Sequence, residues 1–125
     1  MLAAREGARA QGHDLRGVAH ITGGGLPGNV PRALPDGLGA RLDPSRWPMP
    51  SVMHLLGALG GLEDDELRAT FNGGIGMAAV VAATAVPGAV DAFGAQGFEP
   101  LLIGEVVPVD ELGGRYAEGP LERFR

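Results

Sequence analysis

His20-Ile21-Thr22-Gly23-Gly24-Gly25 joins two incompatible backbone habits within six residues. Before it, Val18, Ala19 and Ile21 favour an extended strand. After it, three consecutive glycines remove every Cβ, which frees φ to turn positive and lets another group approach the backbone closely. Leu26-Pro27-Gly28-Asn29-Val30-Pro31-Arg32 then reads as the first turn of a short helix, with Pro27 or Pro31 placed where a missing N–H costs nothing. A strand, a glycine loop and a helix start suit an anion, because the first helical N–H groups lack acceptors and carry the positive end of the dipole. The same pattern also describes a plain tight turn. His20, at the strand end, is either a proton-transfer group facing a cleft or a residue hydrogen-bonded locally.

Composition bounds what surrounds this stretch. The 125 residues suit one domain with one core. With 45% hydrophobic and 20% charged residues the chain is neither disordered nor charge-driven. No apolar run reaches the ~20 residues of a membrane helix, and no signal peptide is visible after Met1, so a soluble, cytoplasmic protein is expected. Net charge is -5, and every basic residue is a scattered arginine, which excludes a stripe able to track nucleic acid. Cysteine is absent, so disulfides, thiol nucleophiles and thiolate metal sites are excluded.

On the N-terminal side, the alanines from Met1 to Gln11 predict a helix stopped by Gly12. On the C-terminal side, Pro35-Asp36-Gly37 is a turn signature, and Gly39 to Asp43 alternates as a short strand that buries Ala40 and Leu42. Asp43 to Pro50, with three prolines, predicts an ordered loop pinned by Trp47. Val52, Leu55, Leu56 and Leu59 follow helical spacing, with Ser51 as N-cap, and predict a helix lying on a sheet. Glu63 to Glu66 fit the first turn of a further helix better than a metal site, since consecutive helical residues diverge.

Thr70 to Met77 form a second glycine-rich turn, in which Asn72 either caps the turn or addresses a ligand and Met77 fills the core. Ala78 to Ala83 read as a buried strand, Pro87 to Gln96 as a helix closed by Gly97, and Leu101 to Val107 as a last strand. Residues 109–125 read as a loose tail after a folded part ending at 108. The alternation predicts an α/β fold of the α+β type, a mixed sheet with helices on one face.

Taken together, Ala19 to Leu26, Asn29-Val30-Pro31-Arg32, Trp47-Pro48, Phe71 to Met77 and Ile103-Gly104-Glu105-Val106 resemble the C-terminal domain of the phosphoribosylformylglycinamidine cyclo-ligases, or aminoimidazole ribonucleotide synthetases. The likeness runs in order from Gly17 to Val107. It implies a partial C-terminal domain over 1–108 of a dimeric, two-domain ligase of purine biosynthesis. That ligase spends ATP, with Mg2+, to activate the formyl oxygen of formylglycinamidine ribonucleotide and close the imidazole ring. The resemblance further implies that ATP and metal are held mainly outside these residues, by an N-terminal domain. His20, as the best candidate for a catalytic group, and Thr22 then face the substrate. Gly23, Gly24 and Gly25 take its ribose phosphate, Asn29 and Arg32 orient the loop or contact phosphate, and Asn72, Gly74 and Gly76 shape the opposite wall.

The sequence departs from the family pattern in two ways. The ATP segment and its acidic ligands are not among the 125 residues, so the chain alone is expected to be inactive. Gly73 stands where relatives often carry a larger residue, which bears on the shape of that turn. Two other functions compete. One is a stand-alone phosphate- or ribonucleotide-binding module. The other is a relative of the selenophosphate synthetase or thiamine monophosphate kinase kind, which the pair of glycine motifs disfavours.

Overall fold

The computed structural model describes residues 14–124, and the helix expected over residues 1–11 lies outside them. In chain order the elements are β1 (Leu15–His20), α1 (Gly25–Asn29), β2 (Leu38–Leu42), α2 (Ser51–Gly60), α3 (Asp64–Thr70), β3 (Met77–Val81), α4 (Val86–Ala95), β4 (Gly104–Pro108), α5 (Val109–Leu112) and β5 (Tyr116–Glu118). Short 3-10 turns occupy Pro31–Ala33, Pro44–Arg46 and Ala83–Ala85. The α+β class is as expected, but the strands form two sheets: β1 pairs with β3, and β2 lies between β4 and β5. Because no single sheet gathers all the strands, the chain falls into two compact units in place of one core.

Among the described residues, the smaller unit comprises 14–18 and Ala79–Leu102. Its core is Ala89 and Phe93 of α4, packed by Leu15 and Val81. Phe98 meets the Phe93 ring edge-on, with centroids 6.3 Å apart. Pro87 sits in the first turn of α4, where its missing N–H is harmless. The run from Ala78 is not the buried strand expected: among the described residues β3 has one partner strand, its residues are at most half-buried, and Met77 is exposed.

The larger unit holds Ala19–Ala78 and the chain from Ile103 onward. Its mixed sheet is centred on β2, antiparallel to β4 and parallel to β5. Ala40 and Leu42 are buried, as the alternation predicts. Arg41 opposes Glu105 across the β2–β4 pair and donates to it at 2.9 Å. The Glu105 carboxylate also accepts the backbone N–H groups of Glu122 (2.8 Å) and Arg123 (3.1 Å). Burial pushes its pKa up, but these donors and the Arg41 charge outweigh that and hold it below the ordinary carboxylate value.

The segment after Pro108 is therefore no loose tail. It carries α5 and β5, buries Leu121 and closes on Glu105. Low apolar content hid this, because backbone pairing, one buried carboxylate and the single buried leucine, Leu121, do the anchoring. The last strand also starts late, at Gly104, although Asp43 N–H still reaches the Ile103 carbonyl at 2.8 Å.

Helix α2 forms as its spacing predicts, but Pro50 is its N-cap residue, with no side-chain cap, and its apolar stripe does not lie on a sheet. Gly57 is its buried residue, packed against the Leu62 carbonyl and the Leu67 side chain. Glu63 caps α3 in a reciprocal box with Glu66, which places Asp64, Asp65 and Glu66 in the first turn, as the dipole favours.

Candidate functional site

The glycine stretch is a preformed loop. Gly24 and Gly25 take positive φ values of 91° and 60°, and Gly25 N–H donates to the Thr22 carbonyl at 3.0 Å. Asn29, buried one turn into α1, closes it. Its Nδ2 donates to the carbonyls of Gly25 (2.8 Å), Gly23 (3.2 Å) and Thr22 (3.3 Å), and its Oδ1 accepts from the Thr22 hydroxyl at 3.4 Å. Asn29 thus orients the loop, one of its two expected roles, and its amide is spent in doing so.

The second turn is built in the same manner. Asn72 Oδ1 accepts from Gly74 N–H at 2.8 Å, and Ile75 N–H returns to the Asn72 carbonyl at 3.0 Å, so Asn72 caps the turn. Trp47 is buried, and its indole N–H donates to the Gly73 carbonyl at 3.1 Å. Gly73 and Gly74 both have positive φ, and a Cβ on Gly74 would strike the Pro50 ring.

The two turns meet. Ile21 N–H donates to the Gly76 carbonyl at 3.0 Å. A Cβ on Gly25 would collide with the carbonyl oxygens of Arg68 and Phe71, so the start of α1 rests directly on the last turn of α3. Three motifs distant in sequence, at 20–25, 47–50 and 71–76, are therefore one structure.

The glycines sort by what requires them. Close approach and positive φ account for Gly25 and Gly74, and positive φ for Gly24. Gly23 and Gly76 are exposed, lack positive φ, and have nothing within 4 Å of where a Cβ would sit. His20 and Thr22 are exposed beside them. Arg32 is exposed in the turn after α1, and neither it nor His20 is hydrogen-bonded to another of these residues.

Two arginines that the sequence did not flag hold this region. The Arg115 guanidinium donates to the carbonyls of Leu34 (2.8 Å), Pro31 (2.9 Å), Pro35 (3.2 Å) and Leu38 (3.4 Å), tying the turn that carries Arg32 to the strand region. Arg68 is ion-paired with Glu118. No sequence pattern marks either, because their partners lie 50 or more residues away. Among the described residues no three His, Asp or Glu side chains gather where they could hold a metal ion.

Residues 1–117 match the family model described as AIR synthase related protein, C-terminal domain. The chain belongs to that family. It is 50% identical over 103 residues to the phosphoribosylformylglycinamidine cyclo-ligase of Sorangium cellulosum, covering 82% of this chain and 30% of that protein. The cyclo-ligase of Thermosynechococcus vestitus is 49% identical over 100 residues, with 80% and 29% covered, and that of a Synechococcus strain is 45% identical over 94 residues, with 75% and 27% covered. The chain spans about 30% of the length of these curated relatives. No helix among the described residues of this AIR synthase-related domain is long and apolar enough to cross a membrane.

Proposed function

We propose that this domain forms the substrate-side wall of a cytoplasmic, homodimeric, ATP-dependent cyclo-ligase that converts formylglycinamidine ribonucleotide to aminoimidazole ribonucleotide in purine biosynthesis. The observation that carries the reading is the open pair Gly23 and Gly76, which nothing among the described residues requires to be glycine. A backbone left bare on a preformed loop lets an anionic group approach main-chain N–H groups. The names of the relatives supply the substrate class.

In this reading the loop from Thr22 to Gly25 takes the ribose phosphate, and Arg32 grips the same group with its planar fork. The turn from Asn72 to Gly76 bounds the opposite side, and His20 holds or moves a proton at the closing ring. ATP and Mg2+, bound mainly outside these residues, supply activation of the formyl oxygen. The chain without them binds and orients but does not turn over.

Titration calorimetry with formylglycinamidine ribonucleotide tests this. Gly23→Val and Gly76→Val are expected to leave the melting temperature within a few degrees of the parent while weakening binding at least tenfold, a loss of about 1.4 kcal/mol. Unchanged affinity in both variants would overturn the site. Binding by the parent together with unchanged kcat/KM for His20→Ala plus Arg32→Ala in the cyclo-ligase as a whole would favour a binding module without chemistry.

A further inference from the structure

Arg68, in the last turn of α3, touches both glycine turns. The Arg68 carbonyl lies against Gly25, in a contact too close for any Cβ. The stem of its side chain lies against Gly73, where a Cβ would stand 3.0 Å from Arg68 Cγ. Its guanidinium grips Glu118 as a fork, Nη2 to Oε2 at 2.6 Å and Nε to Oε1 at 2.9 Å. The two side chains are 11% and 22% exposed, although Glu118 as a whole lies at the surface.

Glu118 is itself fixed. Strand β5 runs parallel to β2 with Leu42 opposite Glu118, and Gly119 N–H donates to the Leu42 carbonyl at 2.8 Å. The Tyr116 hydroxyl donates to Glu118 Oε1 at 2.9 Å, and burial, with the Glu118 charge beside it, pushes the phenol pKa up so that it stays a donor. The links from sheet to loop are therefore short polar contacts at Glu118, a backbone contact at Gly25 and the packed stem of Arg68 at Gly73.

We infer that Arg68 and Glu118 are positioning residues, a strut from β5 that sets the spacing between the two glycine turns. This rests on the reading of those turns as the ligand-binding wall. A fork of two parallel hydrogen bonds fixes direction as well as distance, which a lysine or a neutral partner does not do. Small displacements in such a wall cost affinity out of proportion to their size.

The test uses the 125-residue chain labelled with nitrogen-15, as Glu118→Gln, Arg68→Lys and the double variant. Expected are unchanged amide signals in β2 and β4, displaced signals at Gly25 and Gly73, and an affinity for formylglycinamidine ribonucleotide about tenfold weaker. The double variant is expected to be no worse than either single one. Should Glu118→Gln not fold, Glu118→Asp, one methylene shorter, is expected to displace the same two glycine signals. Unmoved Gly25 and Gly73 signals in a folded variant would overturn the strut. Absence of binding by the parent would remove the proposed function, while the two glycine signals still decide the strut.

Discussion

Helices α2 and α3 are neighbours along the chain and opposite in character. Helix α2 has the cleaner apolar stripe, yet Val52 and Leu55 are 57% exposed, Leu56 40% and Leu59 78%, and its buried contact is Gly57. Helix α3 opens with three acids and buries only Leu67, yet its backbone carries the first glycine turn and its arginine reaches the sheet. The larger unit likewise buries Asn29 and Glu105. Apolar periodicity therefore locates a helix without saying which helix bears weight. Between α1 and α3 contact is also made through glycine and carbonyl, and between α3 and β5 through an ion pair, groups whose reach is short and whose partners are specific.

The largest effect that would sharpen this contrast is at the backbone contact. Gly25→Ala places a Cβ on two carbonyl oxygens and requires φ of 60° from an L-residue. A loss above about 4 kcal/mol, read as absence of a cooperative melt, is expected. A stable Gly25→Ala chain would show that α1 and α3 are not in direct contact.

Next comes the buried charge. Glu105→Gln removes the anion that Arg41 and two backbone N–H groups share, and a cost of about 3–5 kcal/mol in urea unfolding is expected. The sign with pH follows from the lowered folded-state pKa. The unfolded chain binds the proton more readily, so this contribution is fully present above the ordinary value of 4.5 and is lost as pH falls below it. The Gln variant is expected to lose this part of the parent's acid sensitivity. A parent whose stability is flat from pH 6 to 3 would contradict it.

The smallest effects separate the two helices directly. Leu67→Ala in α3 is expected to cost about 2–5 kcal/mol, because the side chain is fully buried. Leu59→Gln in α2 is expected to stay within about 0.5 kcal/mol. Equal costs in thermal melts would break the comparison.

Much of the local structure was legible in advance. The strand at Ala40 and Leu42 and the acidic first turn of α3 follow from short-range chemistry, Trp47 as an anchor follows from its size, and Asn72 as a cap was one of its two readings. The two glycine motifs were recognisable, and so was the family. Asn29 as the staple of the loop was visible only as one of two roles, since its three acceptor carbonyls depend on how the loop turns. The ordered segment after Pro108 was missed, because a three-residue strand, a single carboxylate and one buried leucine leave no periodic trace.

Periodicity, capping and glycine placement act over a few residues, so the order of residues alone determined where elements begin and which loops turn. Tertiary structure alone decided that residues 20–25, 47–50 and 71–76 share one surface. It also decided that α2 keeps its leucines in water and that Arg68 finds Glu118 fifty residues on. The reason is that these outcomes depend on close approach and on partners for charge, which are properties of the assembled chain.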